Sequence, residues 1–183
     1  GGVVRGYALE GRPVVTMADP VFRDATADDV AEIVALRNAT ADALTARHGK
    51  GHWSNQVTDR SVLLDVRRAR LRIGRTGGRL VTVLQLGTRK PWAIDVSHFT
   101  PVARPLYLTN MAVAVSEQRR GLGRMALDDA IDVARTWPAD AIRLDAYDGP
   151  AGAGPFYERC GFTPHGQVTY RGTPLAYFEM LLG

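Results

Sequence analysis

The sequence predicts a mixed α/β (α+β) domain built around one central sheet, and three observations carry that prediction. Leu108, Asn110, Ala112 and Ala114 alternate with Thr109, Met111, Val113 and Val115, the period-2 pattern of a strand with two different faces. A helical repeat follows at once, with Leu122, Met125, Ala126, Leu127, Ala130, Ile131, Val133 and Ala134 recurring on one side as far as Pro138. Short strand-like runs and helical segments then share the remaining chain in the order β-α-α-β-β-β-α-β-α-β-β, which makes about seven strands and four helices. With 183 residues, 45% of them apolar and 23% charged, the chain has enough core for one domain.

Residues 1–18 carry glycine and proline without a sustained period and read as a tail, which leaves 19–183 as the domain. Val21, Phe22 and Arg23 form a short strand, and Thr26 with Asp28 and Asp29 opens a helix whose inner face holds Val30, Ile33, Val34, Arg37, Ala41 and Leu44. Gly49 and Gly51 end it, so His48 and His52 fall in a loop and not on a metal-binding helix face. Thr58 caps a second helix with Val62, Leu63 and Val66 inward. Leu71 to Ile73 and Leu80 to Leu86 are strands of a hairpin turned at Gly77-Gly78. The connection from Gly87 to Pro105 is long for a structureless loop, and Trp92 to Val96 is expected to add a strand within it. Ala141 to Ala146 is the fifth strand of the sheet, a short helix at Phe156 to Cys160 ends at Gly161, and two closing strands turn at residues 171–174.

The net charge is +4 and the isoelectric point about 9.6, but the arginines are dispersed, so a small polyanionic ligand explains the bias better than nucleic acid. Cys160 is alone, which excludes an internal disulfide and fits a reducing compartment. No apolar run approaches the ~18 residues of a membrane span and nothing resembles a signal peptide, so the expected location is the cytoplasm.

The chemistry concentrates where the strand at 108–115 meets its helix. Gln118-Arg119-Arg120-Gly121-Leu122-Gly123-Arg124 opens that helix, whose first turn offers unpaired backbone N–H groups and the positive end of the dipole. Glycines let an anion approach the backbone, and three guanidinium groups suit paired phosphates. Neither Gly-x-x-x-x-Gly-Lys-Ser/Thr nor Gly-x-Gly-x-x-Gly occurs, which excludes the P-loop and dinucleotide fingerprints.

Gln-x-x-Gly-x-Gly at this place resembles the acyl-CoA signature of the GNAT superfamily of N-acyltransferases. Phe156-Tyr157-Glu158-Arg159-Cys160-Gly161-Phe162 is similar to that family's Tyr-Glu-Lys-x-Gly-Phe segment, at the expected distance. The resemblance reaches from Phe22 to Leu182, with specific motifs only in the second half. It implies a GNAT fold, a mixed sheet splayed between its fourth and fifth strands, with acetyl-CoA as co-substrate and no metal. Carried onto this chain, Met111, Ala112 and Val113 hold the acetyl and pantetheine end, and Gln118, Arg119, Arg120, Gly121, Leu122, Gly123 and Arg124 hold the pyrophosphate. The chain departs from the family in having Asp145-Ala146-Tyr147-Asp148 where many members have a cofactor-binding asparagine, and in lacking a glutamate among Tyr107, Leu108, Thr109 and Asn110.

The family implies N-acetyl transfer to an amine, for which a base must remove the proton of an ammonium whose pKa is near ~10.4. Asp95, Asp145 and Asp148 are the candidates, with Asp145 and Asp148 taken as catalytic. Tyr157, placed by the second motif, is the expected proton donor to the departing thiolate. Trp53 and Trp92 lie in the two loops that the family's fold sets beside the acceptor pocket, and with Asp95 they are expected to receive a small-molecule or peptide amine. Cys160 lacks a histidine partner and reads as packing. A non-catalytic acyl-CoA sensor is the alternative, nucleic acid and membrane are not expected partners, and a homodimer is one assembly open to the chain.

Overall fold

A computed structural model describes residues 18–183, so the expected tail lies outside the described residues except for Ala18. In chain order the elements are β1 (Val21–Asp24), α1 (Val30–His48), α2 (Asp59–Arg68), β2 (Arg70–Thr76), β3 (Arg79–Gly87), β4 (Pro105–Val113), α3 (Leu122–Thr136), β5 (Ala141–Tyr147), α4 (Gly154–Arg159), β6 (Thr163–Tyr170) and β7 (Thr173–Leu181). The succession of strands and longer helices is the one expected from the residues. Local chemistry accounts for the boundaries. The Thr58 hydroxyl accepts the Ser61 N–H at 3.2 Å to start α2, and Gly49 closes α1 by donating to the Thr45 carbonyl at 2.9 Å.

Among the described residues the strands form one seven-stranded sheet in the order β1-β2-β3-β4-β5-β7-β6, parallel only where β4 meets β5. One face is covered by α3 and α4, with Leu84, Leu106, Leu108, Leu127, Ile142 and Phe178 in a common core. On the other face α1 and α2 cover the half formed by β1 to β4, packing Ile33, Leu36 and Val62 on Leu71, Ile73 and Val83. Burial of these aliphatic side chains stabilises each by about 1.5–3 kcal/mol relative to exposure.

Two expectations are corrected. Trp92 to Val96 is not a strand: β3 and β4 pair directly with each other, and the connection between them lies on the sheet face. It instead packs Ile94 and Phe99 on Tyr107 and Tyr177, and Asp95 caps a single 3-10 turn, Val96–His98. The 88–104 loop thereby covers the half of the second face that α1 and α2 leave open. The strict alternation along β4 also fails. Val83 lies opposite Ala112 but Gln85 opposite Thr109, so β4 carries one extra residue, and Asn110 takes a left-handed φ of 54°. This bulge exchanges the faces: Leu108 and Met111 both pack on the α3 side, whereas Ala112 turns to the α1 side.

Candidate active site

The sheet opens at its centre. β4 and β5 pair through Pro105 with Ala141, Leu106 with Ile142 and Tyr107 with Arg143, and the pairing stops there. Beyond it, residues 108–113 and 144–147 form the two walls of a split. Met111, Ala112 and Val113 lie on the β4 wall after the bulge, and Asp145 and Tyr147 on the β5 wall.

The turn after β4 sits at the mouth of this split. The Gln118 side-chain amide donates to the Val113 carbonyl at 3.1 Å, tying the turn to the strand end. Arg119 and Gly121 adopt left-handed φ values of 63° and 80°, and Gly121 is the N-cap of α3. The first intrahelical bond runs from Met125 N–H to the Gly121 carbonyl, so the N–H groups of Leu122, Gly123 and Arg124 precede the ladder. A side chain at Gly121 would be strained by its φ, although the space beside it is open; a Cβ at Gly123 would come within 3.1 Å of the Phe156 ring. This is a cradle of free amides with room for an anion. The arginines divide their duties. Arg120 pairs with the buried Glu117 at 3.1 Å, which Arg79 also approaches at 3.6 Å, and Arg124 donates to the Arg159 carbonyl at 3.0 Å, capping α4.

Tyr157 projects from α4 into the core, its ring against Phe156, Phe162 and Phe178. Its hydroxyl reaches the Met111 sulfur at 3.8 Å, which brings the two expected residues together across the split. Burial, then the charges of Asp145 and Cys160, push this phenol well above its ordinary pKa and keep it protonated at neutral pH. Asp145 shares its strand face with Arg143, opposite Ile142 and Leu144. Burial raises the Asp145 pKa against its own backbone hydrogen bond, and among the described residues no cation pairs with it. Its charge in turn raises Tyr147, after burial, and contributes to raising Tyr177.

The remaining expected residues are more scattered. Asp148 donates its backbone N–H to the Pro174 carbonyl at 3.0 Å and lines an open cleft of about 520 Å³ with Tyr147, Glu158 and Phe178. Trp53 is fixed by an indole hydrogen bond to the Gly49 carbonyl at 2.9 Å and sets its ring edge-on to Tyr147 at 5.5 Å, which brings the α1–α2 connection to the end of β5. Trp92 is 81% exposed. The Asp95 carboxylate accepts the Ser97 N–H at 3.0 Å and hydroxyl at 2.8 Å, hydrogen bonds that hold its pKa down. Sequence reasoning did not find Tyr147 or the Asn110 bulge. The only available signal was the tolerance of asparagine for left-handed backbone.

A mixed sheet that parts between its parallel fourth and fifth strands, with a helix N-terminus at the mouth, is the arrangement that the resemblance to the GNAT family implies. The family model for the Acetyltransferase (GNAT) family matches residues 73–162. Among similar solved structures, yncA of Salmonella typhimurium, solved with its cofactor acetyl-CoA, has a TM-score of 0.67 at 19% identity over 90% of this chain and 94% of its own. The ribosomal-protein-alanine N-acetyltransferase of Brucella melitensis has a TM-score of 0.67 at 21% identity, covering 88% of this chain and 99% of that one. An N-acetyltransferase of Staphylococcus aureus Mu50 has the same TM-score at 16% identity, covering 91% and 100%. No curated protein matches the sequence. Residues 73–162 are a GNAT acetyltransferase domain, and the GNAT fold extends over the rest of the described chain. No helix among the described residues is long and apolar enough to cross a membrane.

Proposed function

We propose that this protein is an acetyl-CoA-dependent N-acetyltransferase that moves the acetyl group directly to a primary amine of a small-molecule or peptide acceptor. The observation that carries the reading is the opening between β4 and β5, with Asp145 on one wall, the Tyr157 hydroxyl 3.8 Å from the Met111 sulfur of the other, and the amides at the start of α3 at its mouth. In this reading the pyrophosphate rests on residues 118–124, with the N–H groups of Leu122, Gly123 and Arg124 and the arginine side chains as donors. The pantetheine arm lies along Met111, Ala112 and Val113, where the parted strand leaves backbone groups to bond it.

Asp145 takes the proton from the acceptor ammonium, directly or through water, and its raised pKa makes it a stronger base than an exposed aspartate. The neutral amine attacks the thioester carbonyl, and backbone N–H groups near the bulge meet the developing oxyanion. Tyr157 gives its proton to the sulfur as the carbon–sulfur bond breaks, and the surplus proton on the attacking nitrogen passes through water to the tyrosinate, which yields the neutral amide, free CoA and Tyr157 restored. Asp148 is the second carboxylate of this reading, a base for acceptors that enter from the 520 Å³ cleft. Trp53, with Tyr147, forms the aromatic wall of the acceptor entrance, and Trp92 and Asp95 its outer rim. The reaction belongs in a cytoplasmic setting.

The test is release of CoA thiol from acetyl-CoA with a panel of primary amines, polyamines and peptides. At least one amine is expected to raise release tenfold or more above the rate without acceptor. Tight acetyl-CoA binding with equal, slow release for every amine would favour a sensor.

A further inference from the structure

Among the described residues no cation pairs with Asp145, although a buried arginine sits two residues away on the same strand face. Along β5 that separation is about 6.6 Å, within the reach of an arginine side chain. Arg143 is instead held on its other side. Its Nε donates to Glu179 Oε2 at 2.9 Å, its Nη2 donates to the Thr100 carbonyl at 2.6 Å, and its guanidinium lies over the Phe99 ring at 5.0 Å. Glu179 is equally committed: its other oxygen accepts the Thr100 N–H at 3.2 Å and lies 3.4 Å from His165 Nε2. Both members of the pair are almost wholly buried, at 3% and 2% exposure. In the sheet register Glu179 faces Arg143 and Tyr177 faces Asp145.

We propose that Glu179 is a positioning residue for the acetyl transfer: by holding Arg143 against the 88–104 loop, it keeps that cation from Asp145 and leaves Asp145 the free base of the split. The inference rests on the reading of Asp145 as the base. The titratable or charged groups near Asp145 are Arg143 and Tyr147 on its own strand, Tyr157 on α4, and Tyr177 and Glu179 on β7, with Asp95 and His98 of the loop against Tyr177 and His165 of β6 against Glu179. Arg143 is the one of them that is a permanent cation, so control of its position controls the carboxylate. A cation brought within about 4–6 Å lowers a carboxylate pKa by ~1–3 units, which would remove the basicity that burial supplies.

The experiment follows the titration of the Asp145 carboxyl by carbon-13 NMR in the free protein, alongside the acid limb of kcat/KM. Glu179→Gln, which leaves the guanidinium without its anion, is expected to move both downward by about one pH unit. Arg143→Met, which leaves Glu179 as a nearby anion, is expected to move both upward. The double variant R143M/E179M carries neither charge and is expected to fold, since apolar replacement of a buried pair is often neutral, and to keep the wild-type titration. If one single variant does not fold, the other together with the double variant still decides the sign. An unchanged Asp145 titration, or shifts of the same sign in both single variants, overturns the proposal. Asp145→Asn examines the underlying reading separately: wild-type turnover in that variant would remove Asp145 as the base, while the NMR titration would still report whether Glu179 governs its charge.

Discussion

Asp29 and Asp145 are both carboxylates drawn largely out of water, and their surroundings drive them in opposite directions. Asp29, 3% exposed, accepts two hydrogen bonds from Arg23 at 2.7 and 2.8 Å, one from Arg75 at 2.8 Å and one from the Thr26 N–H at 2.8 Å. The Arg23 hydrogen bonds, with those of Thr26 and Arg75, outweigh burial and hold its pKa far below the ordinary range. Asp145 has burial, only its own backbone hydrogen bond against it and, among the described residues, no cation, and its pKa rises. One carboxylate fastens β1 and β2 to the start of α1. The other is kept costly to ionise on the wall of the split, where the proposed reaction uses a base, and strongly shifted acids of this kind are candidates for reactive groups.

The largest effects are expected where the unpaired acid and the phenol are removed. Asp145→Asn should lower turnover by about 100-fold and erase the acid limb of the pH–rate profile, which in wild type falls as pH drops through the raised Asp145 pKa. Tyr157→Phe should lower turnover by about 10- to 1000-fold in single-turnover measurements and change acetyl-CoA affinity by no more than a few-fold. Unchanged turnover would return Tyr157 to a packing role against Phe162 and Phe178.

Stability sharpens the same comparison with opposite signs. Asp29→Asn should destabilise the fold by roughly 2 kcal/mol at pH 7, less than a fully buried pair because Arg23 is half exposed. Its folded-state pKa is depressed, so the stabilisation is present above the unfolded value of about 3.9 and is lost as pH falls toward the folded value. For Asp145 the folded pKa is raised, so its contribution is full below the unfolded value and is lost as pH rises through the folded one. Asp145→Asn should therefore leave stability at pH 7 unchanged or raise it by about 1 kcal/mol while activity falls. Urea midpoints of both variants at pH 5 and 7 measure this. Equal losses in the two variants would dissolve the distinction.

The smallest effects are expected at the entrance. Trp53→Ala should raise the acceptor KM by about tenfold, because it removes the ring against Tyr147. Trp92→Ala and Asp95→Asn should raise it by about threefold or less, since Trp92 projects into solvent and Asp95 is engaged by Ser97. Steady-state kinetics with the best amine of the panel would rank the three.

The residues themselves disclosed the parts of this molecule whose chemistry is local. A glycine with a left-handed φ at a helix mouth, arginines beside it and an aromatic short helix all lie within a few positions of one another, so residues 118–124 and 156–162 could be read directly. The caps at Thr58 and Gly49 were legible for the same reason. What escaped depends on register or distance. The extra residue at Asn110 is defined only by the pairing with β3, and it reversed which face of β4 each side chain occupies. Arg143 and Glu179 are 36 positions apart and meet because β5 and β7 are neighbours. Trp92 to Val96 had strand composition, but Ile94 is drawn onto the sheet face against Tyr107 and Tyr177, a contact distant in sequence.

The central claim, that the turn and the split together hold acetyl-CoA, is tested most directly by the melting temperature with and without that ligand. At 100 dissociation constants the native state should gain about 2.7 kcal/mol, a rise of about 5–10 °C for a domain of this size. Gly121→Glu, which forces an acidic side chain into a left-handed backbone beside the free amides, should abolish the rise. No rise in the wild type at millimolar acetyl-CoA would contradict the account.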